Sequence, residues 1–206
     1  GCQAVRSRYK IKPHIFICGL PRSGTTLLMK TLHETGKFAS LTYRDMPFVV
    51  LPNIWSKISN KIKPKPKKER IHDDGISINI DSPEALEEIF WRVKLQKKYI
   101  YSNKITIHQA DEFTLNEFKN FVSLILYKYK KEIYLSKNNN NLLRLESILN
   151  AFPNCLILIP FRNPLQQAYS LLNQHNIFTK IQNEDKFVRL YMSYLVHYEF
   201  GSIHRP

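Results

Sequence analysis

Gly19 and Gly24 stand five positions apart in "GLPRSGTT", with Arg22 between them and the hydroxyls of Ser23, Thr25 and Thr26 around the second glycine. A glycine loop that opens a helix offers several backbone N–H groups and the positive end of the helix dipole. That arrangement holds phosphate whatever chemistry follows. The lysine that a nucleoside triphosphatase places after the second glycine is missing. Thr25 stands there, and Arg22 is the cation of the loop. Magnesium-assisted phosphoryl transfer also needs a carboxylate, usually at the end of a neighbouring strand, whereas the candidate strands here end in Lys137 and Arg162. A cationic site with no evident metal ligand suits a transferred group less charged than a terminal phosphate. A sulfuryl group has that property.

These residues need elements to carry them. "HIFICGL" is a short β-rich apolar run closed by a glycine, a buried parallel-type strand. "SGTTLLMKTLHETG" has helical period, with Leu27, Leu28, Thr31 and Leu32 on one face and Gly36 as the stop. The strand pattern recurs at 132–137 and 155–162, each with a helix beside it; Pro164 suits a first helical position. "SPEALEEIFWRVKLQKK" reads as a helix capped by Ser82, and "TLNEFKNFVSLILYKYKK" as one opened by Thr114 and Glu117 in capping-box spacing. Strands alternating with helices predict a P-loop-like α/β fold: a doubly wound, mostly parallel sheet flanked by helices, with ligands at the carboxyl ends of its strands.

The chain of 206 residues is the length of one domain. Its 31 Lys and Arg against 17 Asp and Glu, a formal charge of +14, call for an anionic partner. Seven of those cations, Lys57 among them, cluster around "KIKPKPKKER", whose two prolines oppose a helix. This predicts an exposed basic loop over 57–75, available to an anionic acceptor or a membrane surface. "KNNNN" at 137–141 reads as a polar turn. Cys2, Cys18 and Cys155 have no metal-ligand spacing, so the chain reads as a reduced, cytoplasmic protein. No apolar run reaches the roughly 20 residues of a spanning helix, and no leader segment is evident.

Two separated motifs carry a resemblance. "GLPRSGTTLL" resembles the 5'-phosphosulfate loop of sulfotransferases that use 3'-phosphoadenylyl sulfate (PAPS), in the arginine form of tyrosylprotein and bacterial glycan members. "LILIPFRNPLQQAYS" is similar to their 3'-phosphate motif, in which a strand ends in arginine, Arg162, and a serine lies eight residues on, Ser170. The resemblance implies that Arg22 contacts the sulfonate and that Ser23, Gly24, Thr25 and Thr26 present amides and hydroxyls to the 5'-phosphate. It implies that Arg162 and Ser170 hold the 3'-phosphate, and that Lys137 steadies charge on the departing oxygen. No metal is expected. For the general base, Asp45 and His72 both qualify; Asp45 equally suits an ion pair with Arg44, and His72 a loop beside Asp73 and Asp74.

The resemblance therefore implies a bacterial-type enzyme that moves the sulfuryl group of PAPS to a hydroxyl or amine, leaving 3',5'-phosphoadenosine (PAP). Its acceptor would be a carbohydrate or glycolipid. The chain departs from the family at its C-terminus, where "HYEFGSIHRP" lacks the glycine-rich, lysine-containing segment that closes over the nucleotide. Truncation and a different closure both fit, which leaves the activity of these residues open. Two rivals stand: a P-loop kinase or NTPase, and a non-enzymatic basic module binding anions, with no pattern for specific nucleic-acid recognition.

Overall fold

The computed structural model describes residues 12–64, 66, 68–69 and 77–206. In chain order they form β1 (Ile15–Ile17), α1 (Thr25–Glu34), β2 (Phe38–Ala39), α2 (Pro52–Ser59), β3 (Lys68–Glu69), β4 (Ser77–Ile78), α3 (Glu88–Tyr99), α4 (Glu112–Tyr129), β5 (Ile133–Lys137), α5 (Leu145–Ala151), β6 (Leu156–Leu158), α6 (Pro164–Glu184) and α7 (Lys186–Tyr194). Short 3-10 segments at Tyr43–Asp45 and Asn139–Arg144 supplement them.

The main sheet is parallel throughout, ordered β2–β5–β1–β6, and β3 pairs with β4 in a separate antiparallel ladder. From β1 the chain passes over the place of β5 to reach β2, and from β5 it crosses to the other side of β1 to make β6. The carboxyl ends of β5, β1 and β6 thus meet where the winding changes direction, the usual place for a ligand in an open α/β sheet. Ile17 lies opposite Lys137 on one side and Leu158 on the other, so the glycine loop, Lys137 and the segment leading to Arg162 leave one edge together. The expected doubly wound α/β architecture is present.

Helices cover the sheet because their aromatic faces bury against it. Phe16 packs among Phe118, Tyr134 and Phe152, and Phe118 continues to Phe90 and Trp91. Inside this core lies a polar assembly that braces the end of β5. Arg144 donates to Glu88 at 2.8 Å between the rings of Trp91 and Tyr99, and Tyr99 and Asn138 donate to the same carboxylate, each at 2.6 Å. Asn138, next to Lys137, also gives its amide to Ile17 O. No helix among the described residues is long and apolar enough to cross a membrane.

Several local expectations shift. The helix foreseen from Ser82 begins only at Glu88, because Ser82 Oγ closes a turn on Asn79 and Pro83 bridges to Thr42. Asp111, rather than Thr114, caps α4, accepting from the Thr114 amide at 2.9 Å. On α1 the inward face is Thr25 and Met29, with Leu27 and Thr31 turned outward, since the loop fixes the helix's rotation. The last strand stops at Leu158, well before Arg162. Within the predicted basic loop, Lys57 lies in α2 and Lys68 in β3; residues 65, 67 and 70–76, including His72, lie outside the described residues, as does Cys2.

Candidate active site

A cavity of about 460 Å³ opens at the carboxyl edge of the sheet, and Arg22, Thr25, Lys137 and Arg162 line it together. The loop reaches it through two left-handed residues, Arg22 at φ 66° and Gly24 at φ 97°. At Gly24 that conformation is free of strain, and nothing lies within 4 Å of where a Cβ would stand. For arginine it is unfavourable and needs support. Arg162 Nη1 gives that support by donating to the Arg22 carbonyl at 3.1 Å, while Arg22 Nε donates to Ser170 Oγ at 2.9 Å and Gln167 Nε2 to Pro21 O at 2.9 Å. The two motifs of the sequence meet here.

Gly24 is the N-cap of α1, and no side chain caps it. The first N–H groups of a helix have no intrahelical acceptor, so Thr25 and Thr26 sit at a positive helix end facing the cavity. Ser23 plays a different part: its hydroxyl and amide both turn to Leu20 O, at 2.7 and 3.3 Å, and close the loop on itself. Lys137 is buried at the strand end.

Opposite the cations is a carboxylate that no sequence motif marks, Glu84. Residues 41–44 run antiparallel to 80–84, with Tyr43 N donating to Ser82 O and Glu84 N to Leu41 O, so that Tyr43 and Glu84 enter the cavity side by side. Tyr43 OH donates to Glu84 Oε2 at 2.5 Å and the Ala85 amide to Oε1 at 2.7 Å. Burial alone would raise the Glu84 pKa, but the charges of Lys137 and His197 and these hydrogen bonds hold it below the usual carboxylate value. Within "SPEALEE", Glu84 reads as a first-turn helix carboxylate; only the failure of that helix to start there exposes its other use.

The segment after α7 supplies two further polar groups, His197 and Glu199, with Nδ1 and Oε1 at 3.5 Å. Burial would lower the His197 pKa, yet Glu199 and Glu84 raise it; the Glu199 carboxyl is held at about 2, against its burial, by His197 and Asn139. Gly201, at φ 86° and tight against Gln182, turns this segment back over α6. The "HYEFG" stretch thus forms part of the wall, and Phe178, Tyr191, Met192 and Phe200 make that side apolar.

Asp45 lies elsewhere. Its side chain is fully buried, its carboxylate accepts from Lys128 Nζ at 2.6 Å, Tyr129 OH at 2.7 Å and the Thr42 amide at 2.7 Å, and it does not line the cavity. Nor does it pair with Arg44, which binds Asp81 instead. Among the described residues no three His, Cys, Asp or Glu side chains converge as metal ligands.

No curated protein and no solved structure matches the chain. A family model described as the sulfotransferase family matches residues 13–202, an interval that includes the loop, Lys137, Arg162 and the C-terminal wall. The chain belongs to the sulfotransferase family.

Proposed function

We propose that the cavity binds PAPS and that the protein transfers its sulfuryl group to a hydroxyl or amine of a carbohydrate or glycolipid acceptor. The observation that carries this reading is the convergence of Arg22, Lys137 and Arg162, from behind three parallel strands, on an uncapped helix N-terminus, with the Glu84 carboxylate in the same cavity and the second one, Glu199, tied to His197. Three cations and a helix end match a ligand with phosphates at two separated positions. When bound, PAPS supplies a sulfuryl group on a phosphate leaving group. The chain's own residues do the rest.

In this reading the amides of Thr25 and Thr26 bind the 5'-phosphate and Arg22 orients the sulfonate oxygens. Arg162 and Ser170 hold the 3'-phosphate beside the loop they already brace. Lys137, in the cavity wall, would contribute preorganised electrostatic stabilisation to charge developing on the departing oxygen. Glu84, ionised at neutral pH, takes the acceptor's proton, with Tyr43 fixing its orientation. The apolar wall keeps water from the site. A cytoplasmic setting, where PAPS would reach the site in a reducing environment, belongs to the same proposal and is supported by free thiols at Cys18 and Cys155.

Incubation with sulfur-labelled PAPS and a panel of oligosaccharides and glycolipids tests the reading. Label should pass to one acceptor class without added metal. Turnover of ATP dependent on magnesium, with none of PAPS, would establish the kinase rival.

A further inference from the structure

Helix α2 is packed the wrong way round for a water-soluble protein. Leu51, Ile54, Ile58 and Ile62 follow one another at helical spacing, and all four point to solvent, Ile54 and Ile58 being 65% and 60% exposed. An apolar stripe of this kind ordinarily faces the core. Here the polar side faces inward instead. Ser59 is fully buried, Asn53 Nδ2 donates to Leu124 O at 3.2 Å, and Trp55 Nε1 donates to Arg44 O at 2.8 Å. Arg44 completes the tether by donating from Nη1 to Ser59 O and Ile62 O, at 2.5 and 2.8 Å. Hydrogen bonds therefore set the helix's rotation and leave its aliphatic ridge unpartnered among the described residues.

The charge of the segment that carries the ridge has one sign. From Met46 to Lys68 the sequence contains six lysines and no Asp or Glu. Lys57, Lys61 and Lys63 are exposed beside the isoleucines. A shallow groove joins α2 to the end of α4 through Asn53, Ser56, Tyr127, Lys130, Lys131 and Glu132, adding an aromatic ring that is 79% exposed and a net positive charge. A convex aliphatic ridge flanked by lysines and a tyrosine complements a fluid apolar layer beneath anionic headgroups.

We propose that this face docks on an anionic lipid bilayer, with Leu51, Ile54, Ile58 and Ile62 entering the headgroup–acyl boundary and Lys57, Lys61 and Lys63 meeting the lipid charges. The helix is short, so the contact is reversible and needs both terms. It stands independently of the sulfotransfer reading.

Co-sedimentation with phosphatidylcholine vesicles rich in phosphatidylserine tests it, with pure phosphatidylcholine as the reference. Wild type should sediment with the anionic vesicles and only weakly with the neutral ones. Ile54→Gln with Ile58→Gln should lower the partition coefficient about tenfold or more, because two side chains no longer enter the apolar layer. The triple change of Lys57, Lys61 and Lys63 to Gln should lower it by about tenfold or more and remove most of its salt dependence. These residues are exposed, so melting temperatures should match wild type. Should the isoleucine pair lower the melting temperature, Leu51→Gln with Ile62→Gln, flanking the helix, gives the same readout. Failure of wild type to sediment with anionic vesicles overturns the proposal, and so does full retention of binding by the folded glutamine pairs. Binding to soluble heparin without binding to vesicles would show a simple cation surface and overturns it equally.

Discussion

Arg22 Nε donates to Ser170 Oγ at 2.9 Å although 148 residues separate the two in sequence. With Arg162 on the Arg22 carbonyl, this bond fastens the glycine loop to the segment that opens α6 and to α6 itself. The same three side chains are the ones assigned to the two ends of the nucleotide.

If Arg162 binds the 3'-phosphate, Arg162→Ala should weaken PAP more than AMP, which lacks that group. A charge-assisted hydrogen bond contributes roughly 1.5 to 3 kcal/mol, so PAP should lose about tenfold to more than a hundredfold. AMP should lose less, through slackening of the loop alone. Ser170→Ala should act in the same direction with a smaller effect. Calorimetric titration of both ligands measures this, and equal losses would remove the 3'-phosphate assignment.

Glu84 and Asp45 make opposite predictions. Glu84→Gln keeps the partner of Tyr43 but cannot take a proton, so kcat should fall about a hundredfold to ten-thousandfold with PAP affinity nearly unchanged. Asp45→Ala leaves Lys128 buried and unpaired, and should instead cost about 3 to 5 kcal/mol of stability. Urea unfolding beside steady-state kinetics separates the two. Because the Glu84 pKa is lowered, the rate limb due to this base should lie below the ordinary carboxylate value of 4.5.

The His197–Glu199 pair links stability to pH in both directions. His197 has a raised pKa, so its contribution is complete below the ordinary 6.5 and is lost as pH rises through the folded value. Glu199 is held at about 2, so its contribution is present above 4.5 and is lost as pH falls towards 2. His197→Gln should therefore lower the melting temperature more at pH 6 than at pH 9. An equal loss at both would show that no charge is involved.

Glu88 neutralises Arg144 inside the aromatic core. Removing it by Glu88→Ala should cost about 3 to 5 kcal/mol, since it leaves a buried guanidinium unpaired. Adding Arg144→Met should recover part of that loss. Denaturant melts of both variants check the order, which reverses if Arg144 finds water.

The glycine loop and the strands β1 and β5 are legible in sequence because backbone geometry restricts them: left-handed turns favour glycine, and a buried parallel strand shows as an unbroken apolar run, although the run at 155–162 overstates β6, which stops at Leu158. Glu84 is not legible, since its place depends on residues 41–44 pairing with 80–84, a long-range contact that displaces the helix start suggested by Ser82. The role of "HYEFG" depends likewise on Gly201 folding against Gln182. The outward ridge of α2 contradicts its own periodicity, because Arg44 and Trp55 fix it by hydrogen bonds from outside the helix.

A cavity built for a nucleotide with phosphates at both the 3' and 5' positions should discriminate PAP from AMP in a metal-free titration of the wild-type protein. PAP should bind saturably, tighter than AMP by about tenfold or more, and its binding should be unaffected by a chelator. Absence of PAP binding, parity of AMP with PAP, or binding of ATP alone and only with magnesium would contradict this reading of the cavity.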